Sequence, residues 1–176
     1  MSKREQILNA ASQVIATKGA NQLTLDAVAA EAGVSKGGLL YHFPNKDELI
    51  KGLNIHVITC FRNMIEAELE SGIPYSQAYL QATIKTSADP DFLLVNSSLI
   101  AAVSNNSDFL NLWAEEYERF HQAWEQEGLS KEKSVVLRTL CDGLWFSSMF
   151  QLYPVANVDQ QIVFDYMMKL LREELS

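Results

Sequence analysis

The chain has few of the residues that mark many function classes. Only two cysteines occur, Cys60 and Cys141, with no CxxC pair, and MSKREQ runs straight into a helical pattern with no secretory signal. The expected location is the reducing cytoplasm. No run approaches the ~18 apolar residues that a membrane span needs, so no membrane partner is expected. Period-2 alternation is absent, which argues against strands, and there is no internal repeat or low-complexity tract. No Ser/His/Asp or Cys/His nucleophile arrangement occurs, and Gly37-Gly38 do not follow a strand as a phosphate-cradling loop would. The chain is therefore not expected to be an enzyme, and no cofactor or resident metal is expected. Cations are also scarce, 14 Lys/Arg against 22 Asp/Glu for a net charge of −8, which at first argues against a nucleic-acid partner.

The distribution of charge reverses that argument. Residues 1–52 hold six Lys/Arg against five Asp/Glu, and the remainder holds eight against seventeen. The acidity thus belongs to the C-terminal two thirds, leaving Lys3, Arg4, Lys36, Lys46 and Lys51 in a near-neutral N-terminal part. With 176 residues, 48% hydrophobic and 20% charged, the chain is expected to be an ordinary globular one of one or two domains and not disordered.

Helical spacing and punctuation run through the whole chain. Ser2 and Glu5 form a capping-box pair for a helix carrying Ile7, Leu8, Ala11, Val14 and Ile15, stopped at Gly19. Asn45 with Glu48 opens a long helix through Leu49, Leu53, Val57, Phe61, Met64 and Ile65, stopped by Gly72 and Pro74. At 1.5 Å per residue its roughly 25 residues span roughly 38 Å. Further helices are expected from Tyr75 to Ser87, from the Asp89-Pro90 cap to about Ser104, from Ser107 to Gly128, from Ser130 through Phe150 to a stop before Pro154, and from about Val158 to Leu175. The expected fold is all-α, with about nine helices.

The stretch TLDAVAAEAGVSKGGLLYHFPNK, residues 24–46, carries the chemistry. Thr24 caps a short helix striped by Val28, Ala29 and Ala32; Gly33 ends it at a positive-φ position; Ser35 caps a second short helix that Pro44 stops. Two short helices joined by a tight glycine-bearing turn make a helix-turn-helix, whose second helix enters the DNA major groove. Small residues let these helices pack closely, and Gly37 and Gly38 keep the presented face low.

At these residues the chain resembles the TetR family of bacterial transcriptional regulators. The run GVSKGGLLYHFPNKDEL after TLDAVAAEA is similar to that family's Gly-Val-Ser, short recognition helix, aromatic-His-Phe group and helix-opening Lys. The resemblance covers roughly the first third of the chain. Leu40 is a departure, since the family often carries a second aromatic there for a base or sugar contact. The resemblance implies an N-terminal three-helix DNA-binding head, residues 1–48, and a helical ligand-binding and dimerisation body, residues 49–176. It implies phosphate contacts from Tyr41, His42 and Lys46, with Thr24 adding one, and base-facing Ser35, Lys36, Gly37 and Gly38. The partners it implies are double-stranded operator DNA, a small hydrophobic effector and a second copy of the chain, in a repressor released from its operator by the effector.

For the implied body cavity the candidate lining is Phe61, Met64, Phe92, Phe109, Trp113, Tyr117, Phe120, Trp145 and Met149. Core packing is the competing reading for each. For the implied dimer interface the candidates are Val136, Leu140, Leu144, Ile162, Tyr166 and Leu170, with burial inside one subunit as the alternative. Basic residues of the body, such as Arg62, Lys131, Lys133 and Arg172, are expected at helix ends or solvent faces, which favours a neutral or cationic effector over an anionic one. Glu115, Glu116 and Glu118 read as a solvated face, or else as the source of one inward carboxylate beside Trp113 or Tyr117 for a cationic ligand. His56 with Cys60, one turn apart, lacks a third metal ligand, and the single Glu118-x-x-His121 lacks the second copy a di-iron bundle needs. The alternative function is a helical small-molecule-binding protein or metal sensor without operator binding.

Overall fold

The computed structural model describes residues 1–103, 108–152 and 157–172, without the side chains of 101–103, 108–109 and 157–158. Among the described residues there are nine α-helices, one 3-10 turn at Ala20–Gln22 and no strand. The helices are α1 (Lys3–Lys18), α2 (Leu25–Glu31), α3 (Lys36–His42), α4 (Lys46–Leu69), α5 (Tyr75–Ser87), α6 (Pro90–Val103), α7 (Asp108–Gln126), α8 (Lys131–Met149) and α9 (Asn157–Arg172).

Several of the helix starts are written in caps, although α5 begins after Pro74 with no side-chain cap. Ser2 and Glu5 satisfy one another's backbone N–H groups in a full capping box. Thr24 Oγ1 accepts from the Ala27 amide at 3.1 Å, Ser35 Oγ from Gly38 at 3.1 Å, and Asn45 Oδ1 from Glu48 at 2.9 Å. Asp89 Oδ1 accepts from the amides of Asp91 and Phe92, with Pro90 in the first helical position, where its missing N–H costs nothing. Gly33 lies at φ +63°, which lets α2 turn directly into α3. The expected end of α6 at Ser104, the start at Ser107 and the last residues to Leu175 lie outside the described residues, while α8 ends at Met149, ahead of Pro154 as expected. Phe150, expected within the eighth helix, caps it instead.

The chain divides into two compact units, one of residues 1–60 and 94–113, the other of 61–93 and 114–176. α4 is continuous across residues 60 and 61 and contributes to both. In the first unit Ile7, Leu8, Ala11 and Val14 of α1 are buried with Val28, Leu39, Phe43, Leu49 and Leu53. Gly52 permits a close approach there: a Cβ on it would lie 2.5 Å from Phe43 Cε1. In the second unit α5 packs mainly on α8, and α9 on both. Its centre is aromatic, with Phe61, Tyr79, Phe120 and Trp124 wholly buried.

Candidate functional site

Helix α3 has seven residues and a single fully buried side chain, Leu39, its main apolar anchor, and most of its remaining surface is open. Ser35, Lys36, Gly37, Gly38 and Tyr41 are exposed, while Leu40 and His42 are half-buried. Tyr41 is 85% exposed, which removes packing between helices as its role, and its ring meets His42 edge-on at 5.1 Å. A Cβ placed on Gly37 would touch nothing within 4 Å, so no internal contact requires glycine there. An open groove of about 400 Å³ runs beside the helix, lined by Lys3, Gly33, Ser35, Gly38, Tyr41 and His42 among others.

The cations around this face are placed differently from one another. Lys36 Nζ lies 2.8 Å from Asp26 Oδ1 of α2, and Lys18 pairs with Glu31 at 3.1 Å. Arg4 sits over the Phe43 ring at 5.1 Å. Lys46 and Thr24 are both exposed, at the starts of α4 and α2. Charge, hydroxyl and open backbone thus meet on one surface, a combination suited to a polyanion.

The body candidates fall into separate groups. Phe61, Phe120 and Trp145 come together with Tyr79 and Trp124, two rings missing from the candidate lining. Phe61 lies 4.7 Å from Trp145, 5.6 Å from Tyr79 and 5.9 Å from Phe120, and Tyr79 lies 5.1 Å from Trp124. These are edge-to-face separations of rings in direct contact. The signal for Tyr79 was available: Ala78, Tyr79, Ala82 and Thr83 make a helically spaced stripe on α5, all buried. Trp113 belongs to the first unit, where its indole N–H donates to Asn54 Oδ1 at 3.4 Å. Met64, Phe92 and Met149 are half-buried, and the side chain of Phe109 lies outside the described residues.

Polar groups edge the aromatic cluster. Tyr117 donates to Asp142 Oδ1 at 2.6 Å, and burial raises the Asp142 carboxyl above the usual carboxylate range. The Trp145 indole donates to Thr86 Oγ1 at 2.8 Å. The Tyr79 hydroxyl and the Trp124 indole N–H are buried without a hydrogen-bond partner among the described residues.

Two expectations about charge are corrected. Glu116 is not on a solvated face but 4% exposed, and Arg62, expected at a solvent face, is turned inward to meet it. Arg62 Nε donates to Oε1 at 3.1 Å and Nη2 to Oε2 at 2.5 Å, a bidentate pair that neutralises the one inward carboxylate of the acidic group. Spacing cannot show this, because the partners lie 54 residues apart on different helices. Glu115 and Glu118 are exposed.

His56 Nε2 lies 2.9 Å from Asn9 Oδ1 and 3.8 Å from Cys60 Sγ. Glu118 accepts from Gln122, and His121 meets the Trp124 ring edge-on at 5.1 Å. Among the described residues no three His, Cys, Asp or Glu side chains group as metal ligands, and no helix is long and apolar enough to cross a membrane.

On the last two helices Val136, Ile162 and Tyr166 are exposed, the latter two by 62% and 68%. Leu140 and Leu170 are half-buried, and Leu144 is buried within the chain itself. Phe146 and Phe150, not among the interface candidates, add an exposed stacked pair 5.9 Å apart.

Comparison with known proteins bears on both parts of the chain. Residues 7–53 match the family model for bacterial regulatory proteins of the tetR family, and residues 74–172 match the tetracyclin repressor-like C-terminal domain. An uncharacterized HTH-type transcriptional regulator of Haemophilus influenzae is 34% identical over 77 residues, 44% of this chain and 41% of that protein. The HTH-type transcriptional repressor BepR of Brucella suis is 42% identical over 50 residues, 28% of this chain and 24% of that one. The chain therefore spans less than half the length of these curated relatives. Among solved structures, the multidrug binding protein EbrR complexed with imidazole superposes with a TM-score of 0.73 at 19% identity, over 100% of this chain and 98% of that one. A TetR-family member from Streptomyces coelicolor gives 0.74 at 20% identity, over 98% and 100%. These likenesses show the fold, and the two family matches leave a helical binding protein or metal sensor without operator binding unsupported. From its capped helix-turn-helix to its last helix, the chain belongs to the TetR family of bacterial regulatory proteins.

Proposed function

We propose that the protein is a homodimeric repressor that binds operator DNA through a head at residues 1–48 and is released by a small apolar effector, neutral or cationic, bound in the body at 49–176. The observation that carries the DNA reading is the face of α3, anchored mainly by Leu39 and presenting Ser35, Lys36, Gly37, Gly38 and Tyr41. Tyr41, His42, Lys46 and Thr24 hold phosphates, and Ser35, Lys36 and the glycines meet the base edges. In a dimer two such helices reach successive major grooves about 34–36 Å apart.

The exposed Val136, Ile162 and Tyr166 support a dimer through α8 and α9, with Phe146 and Phe150 extending the same apolar surface. The body's charge supports the effector class, since Arg62 is already engaged by Glu116, and Asp142 offers a carboxylate beside aromatic rings. EbrR, of similar fold, has been solved with ethidium and with malachite green. The effector acts by its differential affinity for two states of the dimer, a coupling typically worth about 1–3 kcal/mol. α4, which contributes residues to both units, is the element through which the change is passed.

Selection from a randomised duplex library tests the first claim. The protein is expected to enrich an inverted repeat, and Lys46→Ala to weaken binding alike on all sequences while lowering the salt slope by roughly one unit. No enrichment, or a Lys46→Ala slope equal to wild type, refutes it. Sedimentation tests the dimer: Tyr166→Glu is expected to yield monomers, and a wild-type monomer at micromolar concentration ends the claim.

A further inference from the structure

The strongest unassigned feature of the head is the ion pair between Asp26 on α2 and Lys36 at the start of α3. Nζ lies 2.8 Å from Oδ1 and 3.1 Å from Oδ2. The Lys36 side chain is 60% exposed and that of Asp26 71%. So open a pair contributes little to stability. The first turn of α2 favours an acid, but a lone carboxylate on a DNA-facing surface is repelled by phosphates. Joined to Lys36 it becomes a neutral unit with an acceptor and a donor side by side.

That unit has a counterpart in DNA. In the major groove a G·C pair presents acceptors at guanine O6 and N7 and a donor at cytosine N4. O6 and N4 are bonded to each other across the base pair, at the usual N–H···O separation of about 2.9 Å. The protein pair therefore has the spacing of the base-pair edge and the opposite polarity. An A·T pair also offers a donor and an acceptor, at adenine N6 and thymine O4. It fits less well, because guanine gives the ammonium two converging acceptors, whereas thymine gives it one, flanked by a methyl group.

We infer that Asp26 and Lys36 read one G·C base pair together in each half-site, Lys36 donating to guanine O6 and N7 and Asp26 accepting from cytosine N4. The inference rests on the operator-binding reading above. Asp26 is then a specificity-determining residue. It admits Lys36 to a base edge only where a donor lies beside the acceptors, and elsewhere it holds the ammonium back from phosphates. A recognition lysine without such a partner is free to bind any stretch of backbone.

The test is selection from a randomised duplex library with wild type, Asp26→Asn and Lys36→Met, each first checked for helical circular dichroism and melting. Both side chains are exposed, so both variants should fold; Asp26→Ser is the second variant should Asp26→Asn not. The wild type is expected to fix a G·C pair at one position of each half-site. Asp26→Asn and Lys36→Met should both lose that preference, by about tenfold or more, at the same base pair and nowhere else. On a non-specific duplex, Asp26→Asn should bind more tightly and steepen the salt slope by roughly one unit, because Lys36 is released to the backbone. An unaltered Asp26→Asn preference overturns the inference, as does relaxation at two different base pairs. Uniformly tighter binding with the same selected sequence also overturns it, since Asp26 would then act as bulk charge. A wild type that enriches no sequence would instead sink the operator-binding reading itself.

Discussion

Helix α3 of the first unit and helix α5 of the second use their side chains in opposite ways. α3 buries one side chain of seven, Leu39, whereas α5 buries eight of thirteen, including Tyr79 and the hydroxyls of Thr83 and Thr86. The same contrast holds for aromatics: Tyr41 is 85% exposed, and Phe61, Tyr79 and Phe120 are wholly buried. An element that must meet an external surface is anchored at a point and kept short. An element that must shape an interior is embedded along its length; the hydroxyls of Thr83 and Thr86 are satisfied within the helix, Thr83 by the Tyr79 carbonyl at 2.9 Å, whereas the Tyr79 hydroxyl is buried without a partner among the described residues.

The embedded interior is most sensitive at Phe61. It touches three rings, at 4.7, 5.6 and 5.9 Å, so Phe61→Ala should lower unfolding free energy by about 3–5 kcal/mol in urea titrations. A loss below about 1 kcal/mol would mean the ring cluster is loosely packed and already open. Next is Gly52, which lies closely against Phe43. Gly52→Val drives its side chain into Phe43 and should cost about 1–3 kcal/mol, despite valine's lower backbone entropy in the unfolded chain. Unchanged stability would show that Phe43 has another rotamer available.

Smaller effects sharpen the contrast. Tyr41→Ala should change stability by no more than about 0.5 kcal/mol, because the ring contacts little of its own chain, while duplex affinity falls measurably. Stability loss with unchanged affinity would reverse the assignment. The least effect is expected at His56, where burial lowers the imidazole pKa from its ordinary 6.5, opposed by Glu5 and assisted by Arg4. The folded state then resists the proton that the unfolded chain accepts. The contribution is present above pH 6.5 and is lost as pH falls through the folded value. His56→Gln should flatten the melting temperature between pH 7.5 and about 5.5, whereas a slope as steep as wild type would assign the acid sensitivity to other groups.

Effects that act within one turn of chain were legible without coordinates. Caps at Ser2, Thr24, Ser35, Asn45 and Ser130, and positive φ at Gly19, Gly33, Gly72 and Gly128, are decided by the residue and its near neighbours. The caps and glycine of residues 24–46 therefore specified the two short helices and the turn between them. Partnership across the fold was not legible. Glu116 reads as one of three equivalent acids on α7, and only the docking of α4 against α7 turns it inward onto Arg62. Trp113 and Tyr117 lie one turn apart on the same helix, yet one bonds to Asn54 and the other to Asp142. Leu144 and Tyr166 have the same apolar character in the sequence, but one is 5% exposed and the other 68%. Periodicity gives each helix an apolar side without naming what will cover it. Burial is a property of the neighbour that arrives, so it was decided by the packing of distant segments.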